Sequence, residues 1–331
     1  EMSTKEKVME ELLNSDDYIS GETLAQKLGV GRNSVWKAVK QLQEEGFDIQ
    51  AINNKGYILK STGDILNREI IKSFLDKTDD REIIVLDETD STNNYAKDLA
   101  RKGAKNATAV IADCQTAGKG RMGRSFCSPH GTSIYLSIIL RPETDMETCQ
   151  LITSCAAVAA AQAIDKVCGT DVKIKWVNDL FLNGKKICGI LTEASVNFET
   201  GQPEYAVVGI GINVKSIKNI FPEELMNVAT SIEDETGKDP SRAEIIAEIL
   251  KNIDILTKNL SDTSFLENYR KRSFIIGQRV SVSKLGSEKT ALAIGISDNA
   301  GLIVRYDDGT EETLNSGEAR ICLLYTSDAA D

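Results

Sequence analysis

Residues 20–46 constrain the fold more than any other stretch of the chain. Ser20-Gly21-Glu22-Thr23-Leu24-Ala25-Gln26-Lys27-Leu28-Gly29 reads as a short helix with Ser20 as its cap and Gly29 as its stop. A three-residue turn leads into residues 32–46, where Val35, Val39 and Leu42 fall on one helical stripe. Arg32, Ser34, Lys37 and Lys40 mostly project away from it. An earlier helix covers about 4–14, with Val8, Leu12 and Leu13 at core spacing. Residues 47–52 and 56–59 then alternate like two strands around Asn53-Asn54-Lys55. Two helices joined by a tight turn, the second carrying bare polar and basic groups, make a helix-turn-helix, and the hairpin makes it winged. From Lys27 to Lys60, six Lys/Arg face three Asp/Glu, although the whole chain carries a net charge of −11. Positive charge therefore gathers on the elements that would meet phosphate, which predicts DNA binding. The expected contacts are Arg32, Asn33, Ser34, Trp36, Lys37 and Lys40, with Asn54 and Lys55 at the wing tip.

At 331 residues the chain has room for two or three domains. Residues 63–80 read as a linker passing through a short helix. Strand signals follow at 83–86, 107–112, 133–140, 172–177, 180–182, 186–194 and 205–214. Helices are predicted at about 93–102, 147–167 and 240–259, the last with Asp239 as cap and Pro240 in first position. Asn183-Gly184 between apolar runs is a hairpin turn. Sequential hairpins with interspersed helices predict a mixed, largely antiparallel sheet with helices on one side. From 277 to 320, short strands split by Asn299-Ala300-Gly301 and Asp307-Asp308-Gly309 predict a small all-β barrel or sandwich. The expected fold is multidomain α+β: a winged helix-turn-helix at 1–62, a linker at 63–80, a central domain of mixed sheet and helices at 81–275 and a β domain at 276–320. The tail 321–331 fits no element and reads as foreign to the native sequence.

Several function classes drop out. No apolar run approaches the ~20 residues of a bilayer span, and no signal-peptide pattern opens the chain. Seven scattered cysteines without a CxxC pair fit a reducing cytoplasm. The single histidine, His130, stands near only Cys127 in sequence, which argues against zinc. It would also have to carry any histidine-dependent hydrolase alone, and no GxSxG elbow is present.

The chemistry concentrates in Gln115-Thr116-Ala117-Gly118-Lys119-Gly120-Arg121-Met122-Gly123-Arg124, where three glycines alternate with three cations. Such a loop suits an anion clamp. It also satisfies GxGxxG, but a dinucleotide-binding turn must open a helix. Here Ser128-Pro129-His130-Gly131 and a strand follow instead. Four further segments are candidates for the same pocket. Asp90-Ser91-Thr92-Asn93-Asn94 opens a helix with more hydroxyls and amides than a cap needs. Lys173-Ile174-Lys175-Trp176-Val177-Asn178-Asp179 ends a strand at a turn. In Gly184-Lys185-Lys186-Ile187-Cys188-Gly189-Ile190-Leu191, alternation puts Lys186 and Cys188 on the face opposite Ile187, and an inward lysine calls for an anion. Val208-Gly209-Ile210-Gly211-Ile212-Asn213-Val214 carries two glycines that let a flat ligand or another backbone lie against the strand.

With these segments in this order, the chain resembles the BirA family of bifunctional biotin–protein ligases and biotin-operon repressors, from the winged helix through the C-terminal β domain. The resemblance implies a class II synthetase-like ligase domain and a small SH3-like barrel. It implies that biotin and ATP give biotinyl-5′-AMP and pyrophosphate, and that the acyl group passes to a lysine of a biotin carboxyl carrier protein. It further implies that the adenylate, as corepressor, promotes homodimerisation through an exposed sheet edge and binding to operator DNA. Carried over by position, Ser91, Thr92, Asn93, Gln115, Lys119, Gly120, Arg121, Lys186 and Gly189 hold biotin. Arg121, Arg124, Asn178, Lys186 and Asn213 meet the nucleotide. Lys186, Arg121 and Asp179 carry the chemistry. Asn178 and Asp179 stand where either a Mg²⁺ ligand or an acceptor for the incoming lysine's proton would serve. Three positions depart from the family pattern: Lys119 stands for a usual arginine, Phe126 for a tryptophan and Val177 for a frequent proline. They bear on adenylate retention more than on catalysis. Two other readings are a biotin-sensing repressor without turnover and a ligase for lipoate or octanoate.

Overall fold

Local capping sets the helices of the amino-terminal unit. Helix α1 (Thr4–Leu13) starts at Ser3, whose hydroxyl accepts from Glu6 N while the Glu6 carboxylate accepts from Ser3 N. Helix α2 (Gly21–Leu28) is capped by Ser20 and stopped by Gly29 at φ 64°. Helix α3 (Arg32–Glu44) buries Val35, Ala38, Val39 and Leu42. Strands β1 (Asp48–Ile52) and β2 (Gly56–Ser61) pair antiparallel as the wing. The computed structural model describes residues 2–197, 199–284 and 287–321, so the tail beyond Ile321 lies outside the described residues.

The linker is docked rather than loose. Within it, α4 (Arg68–Ser73) buries Ile70 and Ile71 and lies against α1. The central region then runs β3 (Ile83–Thr89), α5 (Thr92–Arg101), β4 (Ala109–Gln115), β5 (Ser133–Leu140), α6 (Met146–Cys149), α7 (Ile152–Cys168), β6 (Lys173–Lys175), β7 (Asp179–Leu182), β8 (Lys185–Val196) and β9 (Pro203–Asn213). Short helices α8 (Glu223–Met226) and α9 (Ile232–Thr236) precede α10 (Arg242–Thr257) and α11 (Phe265–Arg272). The seven strands are ordered β3-β4-β5-β9-β8-β7-β6, with only β3 and β4 parallel. The mixed, mostly antiparallel sheet is therefore as predicted.

The placement of helices on one side needs correction. In β5, Ile134, Leu136 and Ile138 join the core formed with α7 and α10, whereas Ile139 packs with Ala96 and Ala100 of α5 on the other face. Period-2 burial on both faces requires cover on both. The helix expected at 147–167 is broken into α6 and α7. The apolar length of Met146–Cys168 is enough to cross a membrane, contrary to the sequence reading, but 72% of its most apolar window is buried in the protein. The helix expected from Pro240 starts instead after Ser241, whose hydroxyl accepts from Glu244 N. Asp239 is ion-paired with Lys215 and caps nothing.

Strands β10 (Arg279–Lys284), β11 (Ser287–Ile296), β12 (Leu302–Tyr306), β13 (Glu311–Leu314) and β14 (Glu318–Ile321) form an antiparallel sheet ordered β13-β12-β11-β10-β14. The two outer strands do not pair among the described residues. This sheet is fastened to the central region. Trp176 Nε1 donates to Ala300 O at 2.9 Å, and Arg270 Nε donates to Ile296 O at 3.0 Å.

Candidate active site

The glycine-cation loop folds back on itself over the end of the central sheet. Gly120 N donates to Arg124 O at 2.7 Å and Phe126 N to Gly118 O at 2.9 Å. Two of its cations reach neutral acceptors. Lys119 Nζ donates to Asn94 Oδ1 at 2.7 Å, and Arg121 Nη1 to Asn178 Oδ1 at 2.9 Å. Arg121 Nη2 also donates to Gly317 O of the C-terminal sheet at 3.2 Å. Neutral partners orient these groups without cancelling their charge, so both cations still act on an incoming anion.

One pocket collects Ser91, Thr92, Asn93, Gln115, Lys119, Gly120, Arg121, Arg124, Asn178, Asp179, Lys186 and Gly189. Every small-molecule contact expected from the sequence is there except Asn213. That side chain is buried away from the pocket, with Nδ2 donating to Thr230 O at 2.9 Å, and braces the chain before α9. The pocket also takes in Tyr135, Lys175 and Trp176, which had no assigned role. Among the described residues its charge is lopsided: Lys119, Arg121, Arg124, Lys175 and Lys186 line it against the single carboxylate of Asp179.

The start of α5 shows why Ser91, Thr92 and Asn93 are more than caps. Ser91 occupies the cap position but makes no side-chain cap bond. Gln115 supplies it from β4, its Oε1 accepting from Thr92 N at 2.9 Å while Nε2 donates to Ser128 Oγ. The Ser91 hydroxyl is thereby left to the pocket. Asn93 is held on both ends of its amide: Oδ1 accepts from Ser137 at 2.7 Å, and Nδ2 donates to Glu193 at 2.8 Å. Burial raises the Glu193 carboxyl, but donors from Lys97 and Asn93 outweigh this and hold it below the usual range. Ser137 and Glu193 gave no signal in sequence, because each acts only through a distant residue.

The two β9 glycines make room for side chains of this protein. A Cβ at Gly209 would lie 2.2 Å from Asn93 Oδ1, and one at Gly211 2.5 Å from Phe126 Cζ. The free strand face foreseen for a ligand is therefore partly filled from within. Gly209→Ala is expected to dislodge Asn93 from its buried network and lower stability by about 1–3 kcal/mol. Urea unfolding measures this; an unchanged midpoint would mean that the Asn93 amide is not fixed.

Lys186 reaches the pocket through a bulge. Leu180 pairs with Cys188 and Phe181 with Lys186, which leaves Ile187 as an extra residue on β8. Strict alternation would place Lys186 and Cys188 together. Instead both Ile187 and Cys188 are buried in the core, and Lys186 alone turns to the pocket. Its Nζ lies 2.8 Å from Asp179 Oδ1, an ion pair that is not aligned as a hydrogen bond. Burial pushes the Cys188 thiol far up, so it has no nucleophilic part. Tyr135, raised to about 12 by burial, donates its hydroxyl to Pro129 O and stays protonated.

On the DNA side, Arg32, Asn33, Ser34, Trp36, Lys37, Lys40, Asn54 and Lys55 are all exposed. Lys40 Nζ rests 5.0 Å from the centre of the Trp36 ring, and Arg32 is ion-paired with Glu22.

Comparison with known proteins finds matches in all three regions of the chain. Residues 4–58 match an HTH domain, 85–213 the biotin/lipoate A/B protein ligase family, and 275–320 the biotin protein ligase C-terminal domain. The bifunctional ligase/repressor BirA of Bacillus subtilis is 34% identical over 94% of this chain and 97% of its own length. That of Escherichia coli is 28% identical over 93% and 96%. The structure of a biotin protein ligase from Aquifex aeolicus in complex with biotin and ATP superposes with a TM-score of 0.62 at 28% identity, covering 73% of this chain and 98% of that one. The chain belongs to the BirA family of bifunctional ligase/repressors.

Proposed function

We propose that this protein joins biotin to ATP, passes the biotinyl group to a lysine of a biotin carboxyl carrier protein, and represses biotin genes with the adenylate as corepressor. The observation that carries the reading is the charge of the pocket, with five cations and one carboxylate among the described residues. In the first step a biotin carboxylate oxygen bonds to the α-phosphorus while the bond to the bridging oxygen breaks, and pyrophosphate leaves with the electron pair. Two anions must meet, so the step needs charge neutralisation rather than a histidine base. Lys186 bridges the carboxylate and α-phosphate oxygens. Arg121, oriented by Asn178, and Arg124 serve the phosphates, and Lys119 covers the carboxylate. Ser91, Thr92, Asn93 and Gln115 hold the biotin head. In the second step the acceptor amine bonds to the acyl carbon, AMP leaves, and the amine proton passes to Asp179.

A magnesium site made by the protein alone does not fit, since one carboxylate already paired to Lys186 is the only acidic ligand lining the pocket among the described residues. Mg²⁺ is therefore assigned to the triphosphate of incoming ATP. Biotin-dependent exchange of labelled pyrophosphate into ATP tests the reading. No exchange despite biotin binding would leave a sensor without turnover, and exchange driven by lipoate or octanoate would change the substrate.

Three finer assignments complete it. Residues 1–62 read operator DNA, 81–275 carry the ligase, and 276–320 form an SH3-like barrel covering the pocket mouth. The adenylate-bound protein dimerises along β8, whose residues beyond Gly189 run past their pairing with β7 and leave one side without a strand among the described residues. A cytoplasmic setting suits both substrates. A dimer would read a palindrome with half-sites spaced by whole turns of ~34 Å. Lys37→Ala is expected to weaken operator binding about tenfold or more while leaving pyrophosphate exchange intact. Equal loss of both activities in a mobility-shift and exchange comparison would refute the division of labour.

A further inference from the structure

Away from the pocket, the fold gathers three metal-ligating side chains that the sequence keeps apart. Glu88 and Cys114 are direct partners in the parallel β3–β4 pair. The chain's one histidine, His130, leans over them from the loop leading into β5. One donor atom from each of the three lies within 4.8 Å of the other two. His130 Nε2 is 3.7 Å from Glu88 Oε2. Tetrahedral coordination with bonds of about 2.0–2.3 Å sets neighbouring donors about 3.3–3.8 Å apart, so this separation is already that of a shared ion.

The surroundings favour the same use. Asp113 Oδ2 faces His130 Nδ1 at 3.4 Å and accepts from Gly131 N at 3.0 Å. Asp113 Oδ1 in turn accepts from the buried Arg242 at 2.7 Å. A fixed carboxylate behind Nδ1 orients the ring and reserves Nε2 for a metal. Burial, Glu88, Asp113 and Asp87 together raise the Cys114 thiol. The negative field that disfavours a bare thiolate is one that draws in a cation.

We propose that Glu88, Cys114 and His130 form a binding site for a borderline divalent metal, Zn²⁺ by its N, S and O donor set, with the fourth position open to solvent. Cys127, the cysteine beside His130 in sequence, takes no part. Binding displaces the thiol proton, so affinity rises with pH. The ion ties β3, β4 and the loop before β5 together beside Gln115, behind the pocket wall. It is independent of the adenylation chemistry.

The test uses the full chain, reduced and freed of metal with a chelator, titrated with Co²⁺ alone and then with Zn²⁺. One equivalent of Co²⁺ should give a thiolate-to-metal charge-transfer band that Zn²⁺ abolishes. The band should vanish in Cys114→Ser and His130→Ala and persist in Cys127→Ser, and Asp113→Asn should weaken Zn²⁺ binding about 10–100-fold. Zn²⁺ should also raise the unfolding temperature of the wild type but not of the two ligand variants. No band in the wild type, a band surviving in Cys114→Ser, or a band lost in Cys127→Ser would overturn the site. If Cys114→Ser misfolds, His130→Ala decides, since that side chain is 52% exposed and its loss leaves the core intact.

Discussion

Replacing Lys186 with alanine is expected to lower biotin-dependent pyrophosphate exchange by about 10²–10³-fold, the effect of removing one preorganised donor from a developing charge. Lys186 is the cation that the β8 bulge delivers alone to the pocket, while Ile187 and Cys188 stay in the core. Its loss also leaves Asp179 facing the substrates without its 2.8 Å partner, which adds repulsion to lost attraction. The double variant Lys186→Ala/Asp179→Asn separates the two effects. Recovery of up to about tenfold would be the repulsive part, and the remainder the contribution of the lysine charge. Exchange within a factor of about three of wild type in the single variant would remove Lys186 from the chemistry.

The second large effect lies far from the pocket. Arg242 is 3% exposed, and it binds Asp64 Oδ2 at 2.5 Å, Asp64 O at 2.8 Å, Asp113 Oδ1 at 2.7 Å and Ser133 O at 3.0 Å. It thereby pins the segment after the wing to β4 and β5. Arg242→Leu strips the guanidinium from two carboxylates and two carbonyls. Asp64 is left with Lys215 at 3.6 Å and Asp113 with Gly131 N at 3.0 Å, and breaking a buried ion pair is costly. Both carboxylates keep about a quarter of their surface in water, so the expected loss is about 3 kcal/mol, the low end for a broken buried pair. Arg242→Lys, with the charge but not the planar fork, should recover only part of it. Chemical unfolding and limited proteolysis between residues 62 and 68 measure the two consequences. A Leu variant with unaltered midpoint and cleavage would show that the linker is held by α4 packing alone.

Much of this was legible in one dimension. The winged helix-turn-helix could be read because its signals are local: caps three residues from the amides they serve, a stripe of period 3.6, and a turn between two short strands. The strands of the central sheet were likewise visible, and the cationic loop declared an anion site by composition. Tertiary structure decided what depends on distant partners. A bulge, invisible to alternation, set which way Lys186 points. Asn213 lies on the strand that borders the pocket but turns to a carbonyl of another segment. The glycines of β9 accommodate Asn93 and Phe126, because only the packed sheet and α5 bring those side chains to that face. Cys114 and His130, unrelated in sequence, meet because parallel pairing of β3 with β4 sets Glu88 beside Cys114 and the loop before β5 crosses above them. Periodicity and composition act over a few residues, so the sequence by itself determined the elements and the kind of chemistry. Which side chains share a point in space follows from register, bulges and loop paths, and these are settled only when the sheet closes on its core.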